Sequence, residues 1–110
     1  MPTFDDREKG FEAKFKHDAD LRFKATARRN KLLGLWAAGL MGLSGAEAEA
    51  YAKEVVAADF EKPGDDDVLQ KVAGDLKAKS IDRSEHQVRK QMETLMPVAR
   101  EEIMKELGKN

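Results

Sequence analysis

The sequence predicts an all-α protein: a four-helix bundle with a mobile N-terminal arm. Three observations predict it. Apolar residues recur at three- and four-residue spacings from residue 21 onward. Val and Ile are few and never alternate over a useful length, so no strand pattern competes. And three of the five phenylalanines fall in the first 15 residues, ahead of the periodic region. The expected division is an arm over 1–18 and a bundle over 19–110. A chain of 110 residues is about large enough for one modest core.

The first helix is expected over 21–42. Leu21, Ala25, Leu32, Leu35, Gly39 and Leu43 form one apolar stripe, and Leu33, Trp36 and Leu40 a second beside it. A helix apolar on two sides sits centrally and touches more than one neighbour. Ser44 and Glu47 fit a capping box that opens the second helix, which runs to residue 62 with Ala48, Tyr51, Ala52 and Val55 inward. Pro63-Gly64 breaks it. The third helix, over 66–79, buries Val68, Leu69, Val72 and Leu76, and Gly74 weakens it by roughly 1 kcal/mol relative to alanine. Asp82 with Glu85 reads as the box that opens the last helix, which runs to residue 107. Val88, Met92, Leu95, Ala99 and Ile103 are inward, Pro97 lies inside, and Gly108 is the stop. Met41, Met92, Met96 and Met104 read as core filler.

Composition removes most chemistry. There is no cysteine, which excludes disulfides, thiolate zinc sites and thiol nucleophiles. The two histidines, His17 and His86, are far apart, and neither a phosphate loop nor a G-x-G-x-x-G follows a strand. Asp65, Asp66 and Asp67 lack the alternating acids and distal Glu of a calcium loop and read as helix N-terminal acids. Ser44, Ser80 and Ser84 sit where helices begin or turn. No enzyme is expected, and no metal or required cofactor. Lys and Arg total 20 against 21 for Asp and Glu, a net charge of −1 that argues against nucleic-acid binding. The densely charged first 31 residues hold no signal-peptide core, and the longest uncharged apolar run, at 32–43, is 12 residues against the ~20 of a membrane span. A soluble, cytoplasmic protein without membrane insertion is expected.

Two segments stand out. Residues 21–33 carry Arg22, Lys24, Arg28, Arg29 and Lys31 with no acid, set between acid-leaning stretches. A solvated helix face explains such a block. The other segment is the arm. Phe4, Phe11 and Phe15 are spaced by 7 and 4, which places them within about 40° of one another on a helix. Charged residues fill most other positions, and Gly10 weakens a helix already too short to stand alone in water. Either the rings pack back on the bundle, or the segment folds into a partner's groove, where burying them could supply on the order of 5–9 kcal/mol before ordering costs.

The blocks FDDREKGFEAKF (4–15), HDADLRFKATARRNKLLGLWAA (17–38), LSGAEAEAYAKEVVAADFEKPGDDDV (43–68) and SEHQVRKQM (84–92) resemble, in order, the ATPase inhibitor zeta subunit of alphaproteobacteria. The resemblance implies a four-helix bundle whose N-terminal segment inhibits ATP hydrolysis by rotary ATP synthase. In the family that segment is mobile when free and becomes helical in a catalytic interface of the head, among the alpha, beta and gamma subunits. On this chain the role falls on Phe4, Asp5, Asp6, Arg7, Glu8, Lys9, Phe11, Glu12 and Phe15. It places the protein in the cytoplasm, peripheral to the inner membrane through ATP synthase. It also implies weak binding of adenine nucleotide (ADP or ATP) by the bundle, near Arg22, Lys24, Arg28 and Arg29. Arg28 lies on the apolar stripe and needs an anionic partner, either a carboxylate of the last helix or a phosphate. A nucleotide-responsive helical regulator of another protein is the alternative.

Overall fold

A computed structural model describes the backbone of residues 4–61 and 64–108, and the side chains of 20–60 and 64–107. It contains four helices: α1 (Phe4–Leu40), α2 (Ala46–Glu61), α3 (Asp65–Ala78) and α4 (Glu85–Gly108). All four expected helices are present, but α1 begins at Phe4, well before the start expected at residue 21, so the backbone of the expected arm continues the first helix; none of the described residues lies in a strand. α1 packs against each of the other three and α3 joins α2 to α4, whereas α2 and α4 do not meet among the described residues. The first helix is therefore central, as its two-sided apolar pattern requires.

The core gathers Leu33, Ala37 and Ala38 of α1, Tyr51 and Val55 of α2, Val68, Leu69, Val72 and Leu76 of α3, and Val88 and Met92 of α4. The inward residues expected for α3 are all buried, as are Val88, Met92, Ala99 and Ile103 of α4. The face of α1 differs from expectation. Ala25, Arg29, Asn30, Leu33, Gly34, Ala37 and Ala38 are buried, while Leu32 and Leu35 are only half-buried and Gly39 is exposed. Close approach to α2 explains the change. A Cβ on Gly34 would lie 2.6 Å from the Cα of Ala52. Small residues occupy the tightest line of contact, and the larger leucines flank it. Met104, expected as core filler, is 55% exposed.

The helix ends also depart from the expected boxes. α1 stops at Leu40 and closes as a Schellman turn. Gly42 is left-handed (φ +80°), its amide donates to the Gly39 carbonyl, and the Leu43 amide donates to that of Ala38. α2 starts at Ala46, later than a Ser44 cap would have it, and the Glu49 amide donates to the Gly45 carbonyl. The cap of α4 is Ser84, in place of Asp82. The Gln87 amide donates to Ser84 Oγ (3.2 Å) and the Ser84 amide to Gln87 Oε1 (2.8 Å), a reciprocal box two residues further on. α3 ends on a second Schellman turn, with Ser80 left-handed at φ 60° and the Ile81 amide donating to the Leu76 carbonyl. Pro97 lies on the exposed face of α4.

Candidate partner and nucleotide sites

The side chains of Phe4, Asp5, Asp6, Arg7, Glu8, Lys9, Phe11, Glu12 and Phe15 lie outside the described residues. Their helix, α1, continues into the bundle, so the geometry that bears on them is how α1 is held there.

Three anchors hold it, all within residues 28–34. Arg28 donates to Glu102 Oε1 (2.7 Å) and to Glu106 Oε1, two carboxylates one turn apart on α4. Those bonds, Glu106 first, raise the guanidinium pKa above its usual value. The partner of Arg28 is thus a carboxylate of the last helix, the first of the two expected. Arg29 is the fully buried arginine, 3% exposed. Its Nε and Nη2 donate to Asn30 Oδ1 (3.1 and 2.9 Å), and Nη2 also donates to Asp65 Oδ1 (2.8 Å) at the start of α3. The hydrogen bond from Arg29 holds the Asp65 carboxyl below the ordinary aspartate range, against a smaller opposing effect of burial. Gly34 supplies the third anchor, the close contact with α2.

The acidic run at 65–67 works in the same way. Asp65 binds α1 through Arg29, and Asp66 binds α4 through Arg89 (2.6 Å). The acids also sit in the first turn of α3, where they complement the helix dipole. Among the described residues no three His, Asp or Glu gather as metal ligands. A further polar knot joins α2 to α3. Tyr51 donates to Asp75 Oδ2 (2.8 Å), which also takes Lys71 Nζ at 3.2 Å. Burial, with help from Asp75, pushes the Tyr51 phenol well above its usual pKa.

The four bases proposed for nucleotide are divided by this arrangement. Arg28 and Arg29 each engage carboxylates, on different neighbours, while Arg22 and Lys24 are exposed. Arg22 lines a cleft of about 290 Å³ between α1 and α4, with Leu21, Ala25, Ile103 and Met104 as its apolar wall and Arg100 across from it. Arg22 also lines a slot of about 250 Å³ between α1 and α2, beside Phe23, Asn30, Val56 and Phe60.

A family model described as ATPase inhibitor subunit zeta matches residues 1–102. The chain belongs to this family. The match spans the N-terminal segment as well as most of the bundle, and it places the protein in a family of inhibitor subunits. A solved chain described as a solution NMR structure is 56% identical, with a TM-score of 0.69 over 78% of this chain and 98% of that one. A comparison with curated proteins gives no match. No described helix is long and apolar enough to cross a membrane.

Sequence reasoning named Arg29 as a base for nucleotide but missed its burial and its bond to Asp65, and it missed Asn30 and the exposed rings of Phe23 and Phe60. For Arg29 a signal existed: it lies four residues from both Ala25 and Leu33, as close to an inward position as Arg28.

Proposed function

We propose that the protein inhibits ATP hydrolysis by rotary ATP synthase by inserting its N-terminal segment as a helix into a catalytic interface of the head. The observation that carries the reading is the zeta-family match, which begins at residue 1 and so includes the segment with Phe4, Phe11 and Phe15. Rings on one side supply burial, and the charged positions between them (Asp5, Asp6, Arg7, Glu8, Lys9 and Glu12) fix register against the alpha, beta and gamma subunits. The segment continues α1 beyond the bundle; fixing this projecting helical end in the interface costs entropy, which offsets part of the burial energy and keeps the inhibitor releasable.

The mounting of α1 supports this reading. A rod that blocks rotation must transmit force to its handle, and α1 is tied to α4, α3 and α2 by Arg28, Arg29 and Gly34. The test is ATP hydrolysis by purified heads depleted of zeta subunit, titrated with the full chain. A Phe4→Ala, Phe11→Ala, Phe15→Ala variant should lose inhibition while keeping the helical circular dichroism of the wild type. Equal inhibition by both proteins would place the inhibitory surface on the bundle.

A second reading, weak adenine-nucleotide binding that tunes the inhibitor, draws on the cleft between α1 and α4. Arg22 and Arg100 oppose each other there across an apolar wall, an arrangement suited to a phosphate beside a planar base. Lys24 lies next along α1, whereas Arg28 and Arg29 would have to exchange carboxylates for phosphate. ADP titration followed by amide shifts tests it: changes should centre on Ala25, Arg100 and Ile103. No shift at millimolar ADP removes it.

A further inference from the structure

Four large apolar side chains are exposed among the described residues, and two of them touch. Phe23 of α1 is 60% exposed and Phe60 of α2 is 58% exposed, with ring centroids 5.7 Å apart. A chain of this size gains nothing by presenting two rings to water together, whereas a partner gains from finding them already clustered. Below the rings is the slot of about 250 Å³, walled by Val56, Thr26 and Asn30. Asn30 is fully buried, and its Nδ2 has no hydrogen-bond partner. A buried donor without an acceptor is costly, and a carbonyl entering the slot would supply one.

On the other side of Phe23 the surface continues as a groove of about 450 Å³ along α1, walled by Ala27, Ile103 and Leu107 and edged by Lys24 and Lys31. The two lysines are seven residues apart, about 10 Å along the helix. Both are exposed, and Lys31 has no acid three or four residues away on its own helix. The nearby acids of α4, Glu102 and Glu106, are held by Arg28. The basic block at 21–33 therefore presents outward charge along a line that begins beside an aromatic pair.

We infer that this face, Phe23, Lys24, Ala27 and Lys31 of α1 with Val56 and Phe60 of α2, is a second docking surface. It takes an acidic protein segment with one large apolar side chain set between carboxylates about 10 Å apart. The apolar side chain covers the Phe23–Phe60 pair, the carboxylates meet Lys24 and Lys31, and a carbonyl of the segment accepts from Asn30. An anionic lipid surface shares the charge preference but has no use for a slot of about 250 Å³ below the rings. The inference rests on the proposed function in taking the catalytic head as the source of the segment. This surface holds the bundle to the outside of the head while the N-terminal segment works inside it.

The test measures binding of the full chain to zeta-depleted heads by interferometry, alongside inhibition of ATP hydrolysis. Phe60→Ser and a Lys24→Glu, Lys31→Glu variant should each weaken binding by tenfold or more. Their inhibition should still reach the wild-type extent at saturation, because the N-terminal segment is intact. Lys53→Glu, exposed on α2, should bind as the wild type does. Thermal unfolding confirms that the variants fold. Wild-type affinity in both surface variants overturns the inference and leaves the proposed function standing. A wild-type chain that neither binds nor inhibits the heads overturns both. Binding to vesicles containing phosphatidylglycerol that is lost in the same variants, with head binding unchanged, assigns the surface to a membrane and also overturns it.

Discussion

Replacing Arg29 with methionine should destabilise the protein by about 3 kcal/mol, and replacing Asn30 with leucine in the same chain should recover most of that loss. Methionine keeps much of the aliphatic volume of Arg29, so the cost falls on polar groups. The bond to Asp65 is charge-assisted, a class worth about 1.5–3 kcal/mol, and takes the low end because Asp65 is more than half exposed. Asn30 Oδ1 then loses both its donors, and an unsatisfied buried acceptor costs a further ~1–3 kcal/mol. In Arg29→Met, Asn30→Leu no buried amide remains, and the unpartnered Nδ2 is gone as well. The double variant should therefore lie within about 1 kcal/mol of wild type. Urea unfolding followed at 222 nm and by Trp36 fluorescence measures both, and equal slopes would show that the unfolded states are comparable. A single variant within 0.5 kcal/mol of wild type, on the scale of a neutral surface change, or a double variant less stable than the single, would refute the reasoning. pH gives an independent handle. The Asp65 pKa is depressed in the folded state, so its contribution is present above the unfolded value and is lost as pH falls through the folded one. Wild type should lose stability in acid more steeply than Arg29→Met does.

Two glycines on helices should respond in opposite senses. Gly34→Ala forces a Cβ to 2.6 Å from the Ala52 backbone and should cost about 1–3 kcal/mol, whereas Gly74→Ala meets nothing within 4 Å and should stabilise α3 by up to ~1 kcal/mol. Thermal melts of the two variants check both. Ser80→Gly relieves a left-handed backbone and should raise stability by about 1 kcal/mol in the same melts. Tyr51 is the one tyrosine, so absorbance at 295 nm reports it alone. Its raised pKa contributes stability below the unfolded value that is lost as pH rises, and tyrosinate should therefore appear only as the protein unfolds in alkali. A normal titration in folded protein would contradict the buried bond to Asp75.

The helices were legible because each carries its own periodicity: the four inward residues of α3 and most of those of α4 could be read from spacing. The face of α1 was harder, since apolar size ranks Leu32 and Leu35 above Gly34, Ala37 and Ala38, and close packing reverses that order. Helix starts went astray where two caps competed within a few residues. Asp82 and Ser84 are equally good cap residues, and only Ser84 has Gln87 three positions on to complete a box in the observed register. Arg28 announced its need for an anion through its place beside apolar residues. The partner of Arg29 is Asp65, 36 residues away, and no local pattern specifies that pairing. The Phe23–Phe60 pair likewise exists only once α1 and α2 are packed.

A bundle of this size could be held together by apolar burial alone, yet it spends a buried arginine, a buried asparagine and two aspartates on fixing α3 to its neighbours. Such groups add little net stability compared with well-packed apolar residues, and their effect is to restrict geometry. Geometry is what the proposed function requires. Sliding or rotation of α1 within the bundle would be tolerable in a domain that only binds. It would disable one that must resist a turning rotor through its N-terminal helix. The anchors oppose the two motions separately. Arg28 bridges carboxylates one turn apart on α4 and so resists translation along the axis. Arg29, fixed through Asp65 to the start of α3, resists rotation about it, and Gly34 keeps α2 too close for either. All three lie within two turns of one another, just past Ala25, the first buried residue described on α1, and so close to where a load carried along the helix enters the bundle.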